Sequence, residues 1–257
     1  MRRIRLIIAY DGTDYVGWQY QKNGTSIQEM VEKALQEITG NVISLQGSGR
    51  TDSGVHARAQ VAHFDTEAKM PADKFSYALN TRLPHDIRVV YSEQAPNDFH
   101  ARFSAKEKEY RYKILLSPHE DVFSSRYTLH VHAPVDIEKM ISKANLLVGT
   151  HDLAAFKSSG TTVESTVRTI YRSEWVVHNN RLEYQIVGNG FLYNTVRIIV
   201  GTFLSIGTGS IPENSIEKAL MSCRREDAGQ TAPAHGLTLW RVKYSDFDTE
   251  EHIPYDG

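Results

Sequence analysis

One order of secondary-structure signals, strand–helix–strand–helix–strand, runs through this chain twice, and few architectures accommodate that repeat. In the first half "RRIRLIIAY" reads as a strand. "SIQEMVEKALQEITG" then reads as a helix. Ser26 stands at the N-cap with Glu29 at capping-box spacing, Met30, Val31, Ala34, Leu35 and Ile38 share a face, and Gly40 stops it. A short strand is expected over "VISLQ". "AQVAHFD" alternates Val61, His63 and Asp65 against Ala62 and Phe64, as a strand does. "PADKFSYALNTRL" reads as a helix opened by Pro71, and "DIRVVYSEQ" as a strand.

The second half opens with the strand "KEYRYKILL", after which Asp136 caps the helix "IEKMISKANLLVG". "RTIYRSEWVVHNNRLEYQIVGN" predicts a hairpin over "HNN", "GFLYNTVRIIVGTFLSIG" a long helix, and "LTLWRVKY" the last strand. Each half approximates the ferredoxin-like pattern. The expected class is α+β, with two ferredoxin-like halves sharing one broad, mainly antiparallel sheet and helices on one face. The other face is then open, which suits a long charged partner better than a small metabolite. The halves are set at residues 1–103 and 104–245, where charge rises and periodicity breaks near "ARFSAKEK", followed by an acidic tail at 246–257.

Composition narrows the function. Among 257 residues, 40% hydrophobic, no run reaches the roughly 18 consecutive apolar residues of a membrane span. The opening "MRRIRLIIAYDG" is too short and too quickly polar for a signal peptide, so a cytoplasmic protein is expected. A single cysteine, Cys223, excludes an internal disulfide framework and any CxxC zinc site. The net charge of −2 conceals an asymmetry. The last twelve residues carry five acids and no Lys or Arg, leaving residues 1–245 with 29 bases against 26 acids. A tail this acidic is expected to be solvated and poorly ordered, so that deletion after Tyr244 leaves binding of a charged partner unchanged or slightly tighter.

Chemistry concentrates in "GSGRTDSGVHARAQVAHFD", residues 47–65. Gly47, Gly49 and Gly54 permit a tight exposed turn and close backbone approach, while Arg50 and Asp52 share a face if the loop is extended. A carboxylate beside guanidinium groups stays ionised and aimed, as a nucleophilic or basic Asp working without a metal requires. The plainer reading has Asp52 capping backbone amides in a glycine turn. "GSGRTDSG" lacks the Lys-Ser/Thr end and following helix of a phosphate loop. His130 and His132 in "HVH", and His56 and His63, lack a third ligand at recognisable spacing, so no metal is expected.

"GSGRTDSGVHARAQVAHF" closely resembles the signature of the tRNA pseudouridine synthase A family, which acts on the tRNA anticodon arm. Further resemblance lies in "RLIIAYDGTDYVGWQYQKNGTSIQEMVEKAL", "FHARFSAKEKEYRYKI", "NGFLYNTVRIIVG" and "PAHGLTLWRVKY", from about residue 5 to 244. It implies that Asp52 is the catalytic aspartate, that Tyr110 stacks on the target base, and that Arg197 pairs with the aspartate. Ser48 and Ser53 stand where alanine is usual, and Thr195 where methionine is usual. The resemblance further implies a homodimer, tRNA as substrate, and uridines at tRNA positions 38 to 40 as targets.

The implied chemistry is cofactor-free. Converting uridine to pseudouridine breaks an N-glycosidic bond and makes a C–C bond to the same sugar, with no redox change and no added atoms. The carboxylate attacks the ribose or the pyrimidine, or stabilises positive charge on the sugar. An aromatic platform and a cation suit the unstacked base. Tyr110 and Tyr112 alternate in their strand, which an ordinary core also explains. Arg197 lies in an apolar helix, sharing a stripe with Tyr193, Asn194 and Gly201, where a half-buried arginine wants a carboxylate. Arg50, Arg58 and Arg102, with Lys106, Lys108 and Arg111, are expected to contact RNA phosphates. Two other classes compete: an inactive RNA-binding module, against which Asp52, Tyr110 and Arg197 all count, and a metal-dependent hydrolase, which chelators would inhibit.

Overall fold

A computed structural model describes residues 1–160 and 163–253. The α+β class is as expected: among the described residues are ten strands, mostly antiparallel, and five α-helices. The chain divides into two compact units, Met1–Lys108 with Thr238–Gly257, and Glu109–Leu237. The division thus falls five residues later than the expected boundary between residues 103 and 104. Nearly all of the last strand runs with the first unit.

In the first unit β1 (Arg2–Tyr10), β3 (His56–Thr66) and β4 (Ile87–Gln94) flank α1 (Ile27–Thr39) and α2 (Phe75–Asn80), and β10 (Leu237–Lys243) completes the run β4-β1-β3-β10. A two-residue β2 (Gln46–Gly47) pairs with β3, shorter than the strand expected over "VISLQ". α1 starts and stops where its caps dictate. Ser26 Oγ accepts from the Glu29 amide at 3.2 Å, and Gly40, at φ 73°, donates to the Gln36 carbonyl. The Lys33 ammonium, and after it the Ser26 amide, hold the Glu29 carboxyl below the usual range, which closes the capping box. α2 is shorter than expected, because residues 72–74 after Pro71 form a 3-10 turn.

Strand register sorts the side chains. Ile4 lies opposite Phe64 and Leu6 opposite Ala62, and this face meets α2 where Phe64 packs edge-on to Phe75 at 5.4 Å. The next residue along, Arg5, pairs with His63 and Glu93 on the opposite face. That face was expected to lie open, but at Arg5 it is covered. The guanidinium lies 4.7 Å from the Phe99 ring and 3.7 Å from Phe247, and Nε donates to Glu93 at 2.8 Å.

Phe247 belongs to the segment expected to be a solvated tail, and for residues 246–253 that expectation is corrected. Phe247, Thr249 and Ile253 are buried, and Asp248 holds Arg241 bidentately. Thr249 Oγ1 accepts from the Val242 amide at 3.0 Å. His252 stacks on Phe247 and Tyr91 at 4.6 and 4.2 Å. Acidic composition misled because three apolar and hydroxyl side chains, spaced among the acids, carry the packing. Residues 254–257 of that segment lie outside the described residues.

In the second unit β5 (Glu107–Leu116), whose first two residues precede the division, leads to β6 (Leu129–Val131), α3 (Ile137–Ala144) and β7 (Gly149–Asp152). β8 (Val167–His178), β9 (Arg181–Gly188), α4 (Thr195–Gly207) and α5 (Ser215–Ser222) follow, with strand order β5-β9-β8-β7. The β8–β9 hairpin closes His178 on Arg181 over Asn179, at φ 55°, and Asn180. Trp175, Tyr184 and Phe203 cluster beneath it, and Ser173 Oγ bonds both the Tyr184 hydroxyl and the Ala144 carbonyl at 2.7 Å. The helix expected from Gly190 begins only at Thr195. Asn194 is left-handed at φ 63°, so Tyr193 precedes the helix and shares no stripe with Arg197.

Candidate active site

The loop between β2 and β3 is held from below at nearly every residue. Trp18 N–H donates to the Thr51 carbonyl at 3.1 Å, and the Thr51 hydroxyl bonds the Tyr10 phenol at 2.8 Å. Ser48 Oγ donates to Gln60 Oε1 at 2.6 Å, and Gln60 Nε2 returns to the Gly49 carbonyl. Lys108, from the start of β5, donates Nζ to the Ser48 carbonyl at 2.6 Å. Burial pushes the Tyr10 phenol well above its ordinary pKa, so it stays a neutral hydrogen-bonding group.

Asp52 opens a β-turn. The Val55 amide donates to the Asp52 carbonyl at 3.1 Å, Gly54 takes φ 77°, and Ser53 Oγ donates to the Tyr15 carbonyl. Gly17 backs this turn so closely that a Cβ there would meet the Thr51 carbonyl oxygen at 2.5 Å. The result is a half-buried carboxylate on a backbone with little freedom to move. Arg50, two residues earlier, is exposed.

The second unit carries Tyr110 and Arg197. Tyr110 is 8% exposed, with Phe191 edge-on at 5.3 Å and 88°. Tyr112 follows on the same face and donates its hydroxyl to the Pro233 carbonyl at 2.8 Å. Arg197, half-buried near the start of α4, donates Nε to the Ala232 carbonyl and Nη1 to Asn194 Oδ1, both at 2.8 Å. The 232–233 segment therefore ties the arginine to the tyrosine strand. Burial raises the Tyr112 phenol, opposed by the Arg197 charge, and the burial of His235 keeps its imidazole below the ordinary range. Close approach at Gly201, anticipated from sequence, is real: a Cβ there would lie 1.8 Å from the Gln230 carbonyl oxygen.

The expected RNA contacts sort by environment. Arg50 and Arg102 are exposed, whereas Arg58 is half-buried with its guanidinium 4.7 Å from the Trp240 ring. Arg111 is engaged by Glu109 at 2.7 Å and Glu183 at 3.2 Å, and Lys108 by the loop it clamps. Sequence reasoning gave Lys108 only a surface role, since nothing local signals a partner 60 residues away. His130 Nε2 contacts the Ser117 carbonyl, and Gly12 N–H donates to His56 Nδ1. Among the described residues no group of three or more His, Cys, Asp or Glu is placed to hold a metal ion.

A family model described as tRNA pseudouridine synthase matches residues 6–104 and 144–245. The tRNA pseudouridine synthase A of Ruminiclostridium cellulolyticum is 47% identical over 245 residues, covering 95% of this chain and 100% of that one. The enzyme of the same name from Thermoanaerobacter sp. is 46% identical over 244 residues, covering 95% and 100%. That from Bacillus licheniformis is 48% identical over 244 residues, covering 94% and 99%.

Proposed function

As this chain belongs to the tRNA pseudouridine synthase family, and so is an isomerase that turns uridine into pseudouridine in tRNA, we propose that it acts on the anticodon arm. The targets are uridines at tRNA positions 38 to 40, with Asp52 as nucleophile and no cofactor. The observation that carries the role given to Asp52 is its half-buried position on a rigid turn braced by Gly17, Tyr10, Gln60 and Lys108. Preorganisation of that kind serves a reacting group, because a small displacement of a nucleophile slows its reaction by orders of magnitude.

The reaction needs no added atoms. The bond from the ribose to the base nitrogen breaks, the base turns, carbon 5 of the pyrimidine bonds the same sugar carbon, and the proton lost from carbon 5 is balanced by one gained at the freed nitrogen. Asp52 supplies the negative charge for this exchange, attacking the sugar or the base. Arg197 supplies the matching positive charge, its fork already oriented by Ala232 and Asn194. Tyr110 offers a ring to the extruded base, with Phe191 fixing its orientation. Arg50, Arg58 and Arg102 meet phosphates and carry no sequence information. The protein works in the cytoplasm as a homodimer, a state that sedimentation of the purified chain tests.

The deciding experiment maps pseudouridine in unmodified tRNA transcripts after incubation with wild-type protein and with Asp52→Asn. The amide keeps size and hydrogen bonding but lacks the charge, so turnover vanishes while tRNA binding survives. Full activity in the variant ends the nucleophile assignment. Binding lost together with activity makes Asp52 a structural cap.

A further inference from the structure

Five residues before Lys108 the turn from Phe99 to Ser104 displays an aromatic ring. Phe103 is 75% exposed, whereas Phe99 and Ala101 in the same turn are buried. A lone exposed apolar side chain is ordinary in any protein. What distinguishes this one is the rigidity of its mounting. Arg3 Nη1 donates to the Asn97 and Phe99 carbonyls at 2.8 and 2.7 Å, and Tyr244 donates to the Ala101 carbonyl at 2.7 Å. The Ala101 amide donates to His63 Nδ1 at 3.2 Å. His100 Nδ1 accepts from the amides of Arg102 and Phe103, and the His100 amide donates to Ser104 Oγ at 3.0 Å.

The ring is also backed. His100 lies 4.3 Å from Phe103 and is itself packed against His63 at 4.8 Å, while the Arg102 guanidinium stands 5.6 Å from the Phe103 ring. Arg102 and Lys106 are both exposed. Burial, and then the Arg3 and Arg102 charges, depress the His100 pKa, which leaves it a neutral aromatic support. An aromatic face held rigidly beside one cation, with a second exposed cation three residues along the chain, matches the two halves of a nucleotide, a flat base and a charged phosphate.

We propose that Phe103 is a stacking platform for an unpaired base of the RNA substrate, with Arg102 and Lys106 meeting the phosphates on either side of it. The inference rests on the tRNA reading above and adds a contact to it. Lys108 touches the loop that bears Asp52, and a five-residue span keeps Phe103 within about 17 Å of Lys108. A platform within that reach holds a base on the same stretch of RNA as the reacting uridine. It fixes where along the RNA the target falls.

Equilibrium binding of an unmodified tRNA transcript tests this in four variants, with wild-type conversion measured on the same transcript. Phe103→Ala should weaken binding about five- to 150-fold, the range for one lost stacked base. Phe103→Leu, apolar but without a ring, should weaken it similarly, and Phe103→Tyr and Phe103→Trp should restore it. Thermal midpoints should stay near wild type because the ring is exposed. Wild-type affinity in the alanine variant overturns the proposal. So does full affinity in the leucine variant with a changed oligomeric state in the alanine variant, which makes the ring a contact with a second copy of the chain. If wild-type protein neither binds nor converts the transcript, the tRNA reading fails, and this inference with it.

Discussion

At the scale of single residues, the first unit sets charges by burial. His63 is buried in β3, and desolvation, then the Arg3 and His100 charges, hold its pKa at about 4 against an ordinary 6.5. An unfolded chain takes up this proton near 6.5 while the fold refuses it until about 4. The stability it supports is therefore complete above 6.5 and falls away as the pH drops towards 4. His100, also depressed, acts in the same direction. Between pH 7 and pH 5 the loss at His63 should be about 2 kcal/mol. Urea unfolding at the two pH values checks this against His63→Gln, which keeps an acceptor for the Ala101 amide but does not titrate. A variant with undiminished pH dependence would assign the effect to the carboxylates instead. Asp52 and Arg197 were singled out at this scale because their types and positions match a motif, and their roles stand as proposed above. Lys108 was not, since its role depends on a carbonyl far off in sequence.

Elements obeyed local signals wherever both ends were marked. Ser26 and Gly40 delimit α1, and the asparagines of "HNN" turn the β8–β9 hairpin, because caps and turns act over four residues or fewer. α4 shows the limit of periodicity. Its apolar pattern runs back to Phe191, yet left-handed Asn194 stops the helix and frees the preceding turn to place Phe191 against Tyr110. The segment after β10 shows the limit of composition. Residues 246–253 act as a strap that covers Arg5, so truncation after Tyr244 should destabilise the first unit where the composition promised indifference. Removing Phe247 alone should remove about 3–5 kcal/mol, as deletion of a large buried aromatic does. Chemical denaturation of Phe247→Ala and of the truncated chain measures both effects. Wild-type midpoints in the two would return the segment to the solvated tail first expected.

For the whole molecule the relevant quantity is how tRNA affinity responds to salt, since phosphate contacts release counterions. Affinity should fall steeply as salt rises, and Arg50→Ala, which removes an exposed cation beside the loop, should flatten the log–log slope by about one. Salt-independent binding would move the RNA off these arginines. Arg58→Ala should differ, because that guanidinium also stacks on Trp240 and its removal disturbs packing as well as charge. The net charge of −2 predicts none of this. By itself the sequence determined the α+β class, the strands and helices with clear periods and caps, and the family motifs in which Asp52, Tyr110 and Arg197 stand. These are properties of residues a few positions apart, or of a pattern read directly from residue types. Tertiary structure alone decided that Lys108 clamps the loop, that Phe247 seals Arg5 and that Phe103 is displayed on a fixed turn. Each depends on partners brought together from distant parts of the chain, and burial at such a position is set by what lies opposite it in space.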